Sequence, residues 1–432
     1  MPEYDGRTHS RAYLAGARIK GGRSLLSLTD SLKELSLLAK TADLEVVGQA
    51  QQQLNRINPT TYLGPGKIAE ICDEVHSLAA DCVIFDDELS PRHQRELEKR
   101  FGAQVQVMDR SVLILDIFAQ HARTREGALQ VELAQYEYRL PRLTRQWTHL
   151  ARQAGGGGMR GVGTRGPGET QLEVDRREIQ RKISYLKREL EKVREHRQRY
   201  RNQRIREGIP VISLVGYTNA GKSTLLNALT NADVLVADQL FATLDPTTRR
   251  IELPSGQEVL FSDTVGFIQK LPTTLIAAFR ATLEEIREAD LLLHLADLSH
   301  PNVSQQVETV EDTLAELEMP DTPRIFVWNK ADLWDERPLP DLTDPHLYLD
   351  AVHISALNRS GLCSLLNAVE RALASQYYPM RLLLPYQKSN LLAQLYAKGR
   401  VQSQEATHRG YLLQAQVPAR QFRQFAEFQL SD

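Results

Sequence analysis

The chain has 432 residues, 42% of them hydrophobic, and a net charge of −2. This length predicts two to four domains, and the near-neutral balance favours no particular partner for the chain as a whole. The three cysteines, Cys72, Cys82 and Cys363, are too widely spaced for a disulfide framework or a metal site. Residues 1–20 contain no apolar signal core, and no run approaches the ~20 apolar residues that span a bilayer. We therefore expect a soluble, cytoplasmic protein without a membrane span.

Residues 11–108 alternate between short apolar runs and amphipathic stretches. This alternation predicts a small parallel sheet covered by helices, which is an α/β domain. The predicted helices are 27–40, 67–79 and 91–101, and the predicted strands are 44–47, 82–85 and 105–107.

Positive charge is concentrated between residues 121 and 210, which contain 21 Lys/Arg and 11 Asp/Glu. Apolar side chains recur at alternating spacings of four and three along 129–150 and again along 179–193, which is typical of coiled-coil helices. A glycine-rich loop, 154–168, separates the two stretches. We therefore predict an antiparallel helical hairpin, with a kink at Pro141.

The hairpin suggests an RNA-binding element. Its loop carries Arg160 and Arg165 among glycines, and backbone without side chains can approach phosphates while arginine contacts them. A solvated helix face joined to a flexible linker is the alternative, because glutamates are interspersed along the second arm.

Residues 216–223, Gly-Tyr-Thr-Asn-Ala-Gly-Lys-Ser, fit the phosphate-binding pattern G-x-x-x-x-G-K-[ST]. A buried-strand pattern precedes them at 211–215 and a helical pattern follows at 223–229, as in a P-loop. Lys222 would reach the β- and γ-phosphates, and the Ser223 hydroxyl would bind Mg²⁺. This predicts a nucleotide-binding domain with a Ras-like, doubly wound α/β sheet.

Three further motifs follow strand-like runs and indicate guanine. Residues 263–266 (D-x-x-G) would serve Mg²⁺ and the γ-phosphate, and the backbone of 355–357 would bind guanine O6. Residues 329–332 (N-K-x-D) end in Asp332, whose carboxylate would accept both N–H groups on the edge of guanine. Adenine lacks these donors and would leave the carboxylate unpaired. The sequence therefore predicts a GTP- and GDP-binding site.

The loop between the P-loop and D-x-x-G offers three threonines as Mg²⁺ ligands. We favour Thr243 over Thr247 and Thr248 because it precedes the predicted strand 250–253. Ras-like GTPases place a water-orienting Gln after D-x-x-G, and this chain has Phe267 there. We therefore expect slow intrinsic hydrolysis, with water positioned by another group or by a partner. Asn219 either recruits a K⁺ ion or only supports the P-loop.

These motifs define the predicted site. Lys222, Thr243 and Gly266 would act on the reacting phosphate, and Ser223, Thr243 and, through water, Asp263 would hold Mg²⁺. The residues expected to contact the nucleotide are Gly216, Tyr217, Thr218, Asn219, Ala220, Gly221, Lys222, Ser223, Thr224, Phe241, Ala242, Thr243, Leu244, Asp245, Asp263, Thr264, Val265, Gly266, Asn329, Lys330, Ala331, Asp332, Ser355, Ala356 and Leu357.

The C-terminal segment predicts a small α+β domain, with strands at 381–384 and 411–417 around a helix at 388–398. The expected domains are therefore an α/β domain (1–122), the basic hairpin (123–207), the GTPase domain (208–378) and the α+β domain (379–432).

Several motifs resemble the HflX family of ribosome-associated GTPases. They are 115–118 (LDIF), 131–135 (VELAQ), 165–171 (RGPGETQ), 216–224 (GYTNAGKST), 241–246 (FATLDP) and 263–267 (DTVGF). The resemblance spans nearly the whole chain and includes the Phe after D-x-x-G. The glycine stretch before Arg165 looks longer here than is usual in the family.

The resemblance implies binding to the large ribosomal subunit and its rRNA, GTP hydrolysis stimulated by the ribosome, and splitting of stalled or idle ribosomes under stress such as heat. It also implies that the hairpin loop reaches the peptidyl transferase centre and that Ser223 and Thr243 bind Mg²⁺. We expect a monomer. Two alternatives remain open: an Obg-like GTPase of ribosome assembly or tRNA modification, and a GTP-gated protein scaffold.

Overall fold

The computed structural model describes residues 10–21, 25–143, 171–207, 209–230, 240–241, 243–270, 286–287, 289–317, 322–334, 339, 345–375, 377–418 and 422–430. The chain forms two compact units. The first, here called the N-terminal unit, comprises Met1–Lys192, Ala237–Asp245 and Gln269–Arg280; the second, the C-terminal unit, comprises Val193–Val236, Pro246–Ile268 and Ala281–Asp432. The three boundaries between the four domains expected from the sequence stay predictions.

A four-stranded parallel sheet forms the centre of the N-terminal unit, with strand order β2-β1-β3-β4. The predicted α/β character is confirmed, and β1 is a strand that the sequence analysis did not assign. The strands are β1 (Ser10–Ile19), β2 (Leu44–Leu54), β3 (Cys82–Phe85) and β4 (Gln106–Asp109), and the helices are α1 (Leu28–Thr41), α2 (Pro65–Ser77), α3 (Pro91–Phe101) and α4 (Arg110–His121).

Local hydrogen bonds explain where several of these helices begin. The Ser27 hydroxyl accepts from the N–H of Asp30, and the Ser90 hydroxyl accepts from His93. Each bond satisfies one of the N–H groups that a helix start leaves without a partner. Pro65 and Pro91 open α2 and α3, at the position where a missing N–H costs nothing.

A buried ionic cluster lies where β3 ends. The carboxylate of Asp86 is fully buried and accepts from Arg110 (3.0 Å) and from the Ser31 hydroxyl (2.6 Å). Arg110 also pairs with Glu34, and Lys270 pairs with Asp86. Partnered in this way, the buried charges cost much less than isolated ones would.

The two predicted arms of the basic hairpin are helical in their described parts, α5 (Arg125–Arg139) and α6 (Gln171–Glu207). Three ion pairs join them: Arg125–Glu189 (2.9 Å), Lys182–Glu132 (3.1 Å) and Lys187–Glu137 (2.8 Å).

The first arm differs from the prediction at its ends. The α-helix starts at Arg125 instead of 129 and stops at Arg139, where Leu140–Arg142 form a 3-10 turn. Proline lacks an N–H and its ring clashes with the preceding turn, which accounts for the end of α5 two residues before Pro141. The predicted continuation of this arm from 144 to 150 lies outside the described residues, so the predicted kink stays a prediction. Residues 144–170, with Arg160 and Arg165, lie outside the described residues.

A six-stranded sheet forms the core of the C-terminal unit, in the order β10-β9-β8-β5-β7-β6. All neighbours are parallel except the edge pair β6–β7. This confirms the predicted doubly wound α/β sheet. The strands are β5 (Val211–Gly216), β6 (Thr247–Glu252), β7 (Glu258–Asp263), β8 (Leu291–Asp297), β9 (Arg324–Asn329) and β10 (Tyr348–His353), and the helices are α7 (Lys222–Thr230), α8 (Val303–Glu316) and α9 (Leu362–Ser375).

A three-stranded antiparallel sheet, ordered β11-β13-β12, lies in the C-terminal part of the chain. Its buried face packs on Leu391 and Leu395 of α10. The predicted α+β fold is confirmed, although the polar strand β12 was not predicted. The elements are β11 (Tyr377–Leu384), α10 (Ser389–Lys398), β12 (Arg400–Thr407), β13 (Gly410–Pro418) and α11 (Phe422–Ala426). In the part of the chain that is described, no helix is long and apolar enough to cross a membrane.

Candidate nucleotide-binding site

The P-loop connects the end of β5 to the start of α7, at the carboxyl edge of the parallel sheet. Asn219 and Gly221 adopt left-handed backbone conformations, with φ of 62° and 92°. A Cβ on Gly221 would lie 2.2 Å from the Nδ2 of Asn329, so a side chain has no room there. The glycine therefore permits both the turn and the close approach of β9.

Lys222 is the buried cation of the loop, with 7% of its surface exposed. Its Nζ donates to the carbonyl oxygens of Gly216 (3.1 Å) and Tyr217 (2.8 Å). Burial lowers the pKa of the amine to about 8, and the nearby carboxylate of Asp263 opposes this shift. Such a partly desolvated amine is suited to bind an anion such as a phosphate, whose charge would offset the cost of burial.

The two predicted metal-binding groups of the C-terminal unit meet at the end of β7. The Ser223 hydroxyl donates to Oδ2 of Asp263 over 2.6 Å. The Thr264 hydroxyl anchors the strand end by donating to the carbonyl of Leu214 (2.6 Å). A hydroxyl beside a carboxylate is a hard oxygen donor set, which fits Mg²⁺.

Gly266 lies against the P-loop, as its predicted contact with the γ-phosphate requires. A Cβ there would be 2.8 Å from Thr218 Cα and 3.1 Å from the Nζ of Lys222. The Thr218 hydroxyl is buried and has no hydrogen-bond partner among the described residues. Gly266 thus permits the close approach of Thr218 and Lys222, and it leaves a buried cation and an unused buried hydroxyl beside the D-x-x-G segment, which suits a polar ligand.

Asn329 joins three of the predicted motifs. Its side-chain amide donates to the carbonyl of Ala220 in the P-loop (2.8 Å), and its Oδ1 accepts from the N–H of Ala356 (3.0 Å). The N–H of Ala331 donates to Ile354 (3.1 Å). Asn329 therefore fixes the positions of the segments predicted to recognise the base relative to the P-loop.

The predicted guanine-binding groups follow β9 and β10. Asp332 lies in a 3-10 turn with an exposed side chain, so its carboxylate is accessible to a base. Ser355 is buried, and its hydroxyl accepts from Asn358 N–H (3.1 Å). Lys330 has a φ of 60°, and its Nζ pairs with Asp297 at 2.7 Å. Asp297 was not among the predicted site residues, although its position directly after the largely apolar run 291–296 was a usable signal.

Comparison with known proteins assigns the family. Residues 29–119 match the family "GTP-binding GTPase N-terminal", 121–204 match "GTP-binding GTPase Middle Region", and 211–330 match "50S ribosome-binding GTPase". The chain is 48% identical to GTPase HflX of Alkalihalophilus pseudofirmus over 91% of its own length and 90% of the relative's. It is 47% identical to that of Caldanaerobacter subterraneus (90% and 87%) and 41% identical to that of Escherichia coli (92% of each).

The chain belongs to the HflX family of GTPases. The resemblance seen in its sequence motifs is thereby confirmed, and so is its activity as a GTP hydrolase. The contacts of individual site residues with nucleotide and metal stay predictions.

Phe267 holds the D-x-x-G segment of this HflX-family site in place through its backbone. Its N–H donates to the carbonyl of Gly216 (3.1 Å), and its carbonyl accepts from the N–H of Thr218 (2.8 Å). The side chain is 2% exposed. A buried phenyl ring has no polar atom with which to orient water, so this position supplies structure and leaves the water to another group.

The described residues 240–241 and 243–245, which include Thr243, belong to the N-terminal unit. Phe241 packs on Phe118, and the carboxylate of Asp245 accepts hydrogen bonds at the start of α5. Ala242 lies outside the described residues. Two side chains predicted to face the nucleotide thus contact protein.

Nucleotide affinity of this HflX-family protein should fall as the pH rises through about 8. In the predicted site, phosphate oxygens would bind the protonated amine of Lys222, and burial brings the pKa of this amine down from 10.5 to about 8. We expect GDP binding to weaken up to about tenfold for each pH unit above this value. A fluorescent GDP analogue titrated between pH 7 and 9 measures the effect. The weak residual binding of Lys222→Met should be independent of pH, and a flat wild-type profile would contradict the assignment.

Proposed function

We propose that this GTPase binds GTP with Mg²⁺ at the P-loop site and, in that state, binds the large ribosomal subunit and splits stalled or idle ribosomes. The family description "50S ribosome-binding GTPase", matched by residues 211–330, is the observation that carries the ribosomal part of the proposal. Splitting, the stress role and the use of the hairpin rest on the family resemblance.

Nucleotide binding would use the groups that the fold brings together. Lys222 and the P-loop N–H groups would bind the phosphates, and Asp332 and the backbone of 355–357 would bind guanine. Ser223 and Asp263, with Thr243, would hold Mg²⁺, which would neutralise charge on the β- and γ-phosphates. Asn219 already has the left-handed conformation of the loop, and its two predicted roles, K⁺ recruitment and loop support, are both still proposals.

Hydrolysis would depend on a partner. The buried side chain of Phe267 cannot orient the attacking water, so the basal rate should be low. In our proposal the ribosome completes the site, while GTP orders the segment around Thr243 and the segment after Gly266. Hydrolysis then releases both segments and the protein.

The basic helix α6 supports an rRNA-binding surface. Residues 171–207 contain thirteen Lys/Arg and seven Asp/Glu. Exposed cations of α6 are Arg176, Arg177, Arg181, Lys187, Arg188, Lys192 and Arg194. Phosphate contacts of this kind predict binding that weakens steeply as salt rises.

The splitting step can be tested by light scattering of intact ribosomes mixed with the protein. With a non-hydrolysable GTP analogue, the proposal predicts a fall in scattering as subunits separate, and with GDP it predicts none. Ribosomes that stay intact in both nucleotides, with binding only to precursor particles, would favour ribosome assembly instead. Binding that ignores salt would favour a protein scaffold.

Loss of the loop arginines should separate ribosome action from hydrolysis. Arg160→Ala with Arg165→Ala is expected to spare basal GTP turnover and reduce splitting at least about tenfold, since both cations would contact rRNA. The control is Arg92→Ala with Arg95→Ala on α3, which removes the same charge from two exposed positions. Equal loss of both activities in the loop variant would mean that these arginines serve the fold instead.

A further inference from the structure

The N-terminus of α5 binds a carboxylate from a distant part of the chain. Asp245 Oδ2 accepts the N–H groups of Arg123 and Thr124, both at 2.8 Å, and Oδ1 accepts the Thr124 hydroxyl. Thr124 is itself the N-cap of α5, because its hydroxyl oxygen accepts from Gly127 N–H at 3.0 Å. Three hydrogen bonds to one anion at a helix N-terminus form a strong, directional contact.

Gly127 makes room for this carboxylate. It is the third residue of α5, and a Cβ there would lie 2.3 Å from Oδ1 of Asp245. Real Cβ atoms do not approach an oxygen so closely, so any other residue at this position would displace Asp245. The start of α5 therefore provides both the hydrogen-bond donors and the space that the carboxylate of Asp245 occupies.

A second contact holds the same segment four residues earlier. The ring of Phe241 packs edge-on against Phe118 of α4, with centroids 4.7 Å apart and planes at 75°. Both rings are buried, and Phe241 has a φ of 58°, a conformation that non-glycine residues adopt only when contacts hold them there. Thr243 lies midway between these two anchors.

We infer that Asp245 and Phe241 are positioning residues, which hold the Thr243 loop on the N-terminal unit instead of contacting nucleotide themselves. The inference rests on the proposed role of Thr243 as a Mg²⁺ ligand. A loop held at both ends loses less conformational freedom when it closes on GTP than a free loop does. On this inference, the hydrogen-bonding groups at the start of α5 affect hydrolysis only through the Thr243 loop that they hold, although they lie outside every GTPase motif.

The substitution Gly127→Ala tests the positioning role of Asp245, because Gly127 lies in α5 and outside the GTPase motifs. The added methyl group should expel Asp245, while alanine favours the helix more than glycine does. We expect kcat/KM for GTP to fall about tenfold, as misplacement of a catalytic group does, with GDP affinity unchanged. The matched control is Gly66→Ala in the first turn of α2, where a Cβ meets nothing within 4 Å. The control should keep wild-type turnover.

The double variant separates this contact from a general loss of structure. Asp245→Ala should lower kcat/KM about as much as Gly127→Ala, and combining the two should lower it no further, because the methyl group then meets no carboxylate. Effects that multiply would overturn the inference. So would unchanged or faster turnover in Gly127→Ala, since faster turnover would mean that docking holds the loop away from GTP.

Thr243→Ala distinguishes failure of the inference from failure of the proposed site. If Thr243→Ala hydrolyses GTP normally, the proposed Mg²⁺ role is wrong and the inference falls with it. If Thr243→Ala is inactive while Gly127→Ala and Asp245→Ala are both normal, only the positioning role is wrong.

Discussion

Lys222→Ala is expected to lower GTP turnover by about a thousandfold or more. The amine is the buried cation of the P-loop, 2.8 Å from the carbonyl of Tyr217 and 3.1 Å from a Cβ built on Gly266. In the predicted site, alanine would leave the γ-phosphate charge without its main stabilising partner, a cation that is 7% exposed. Phosphate release under single-turnover conditions measures the loss.

Lys99→Ala serves as the control for that variant. Lys99 is half-exposed and pairs with Glu96 one turn earlier in α3, so its loss should leave turnover at the wild-type rate. Wild-type turnover in Lys222→Ala would refute the P-loop assignment.

Asp332→Asn is expected to move base preference from guanine towards xanthine. The carboxylate would accept both N–H groups of guanine, whereas an amide offers one acceptor and one donor, which suits the additional carbonyl of xanthine. Sites built around such paired hydrogen bonds reject the mismatched base strongly, so GTP affinity should fall by about a thousandfold. Competition between guanine and xanthine nucleotides measures the shift.

Asp350→Asn provides a matched carboxylate-to-amide control. Asp350 lies on β10 and pairs with Arg371 on the protein surface, so its substitution should leave base preference unchanged. An unaltered preference in Asp332→Asn would overturn the base assignment.

The local sequence pattern predicted most of the secondary structure, because the periodic spacing of hydrophobic residues begins and ends close to capping or turn residues. The strand at 82–85 and the helix at 91–101 were predicted to the residue. The pattern failed at β1, where small residues such as Gly16 obscure the hydrophobic signal, and at β12, a polar edge strand formed by pairing with β13. Such segments form strands because they pair with neighbouring strands, and this pairing cannot be seen in a short stretch of sequence.

The candidate site also contains residues whose positions the sequence motifs predicted and one whose position they did not predict. The motifs predicted that Lys222, Ser223 and Asp263 lie close together, because each of them stands at or beyond the carboxyl end of a strand of one sheet. The position of Asp245 could not be predicted, since its partner Thr124 lies 121 residues away in the chain. Its motif suggested a nucleotide contact, and only the tertiary structure shows the carboxylate at the start of α5.

GTP turnover by the purified protein, measured with and without large ribosomal subunits, tests the central claim most directly. The buried Phe267 predicts a slow basal rate, and the proposed ribosomal function predicts stimulation of at least about a hundredfold by large subunits. Small subunits at the same concentration should have little effect. Equal rates with and without large subunits would contradict the account and leave an HflX-family GTPase whose activator is not the ribosome.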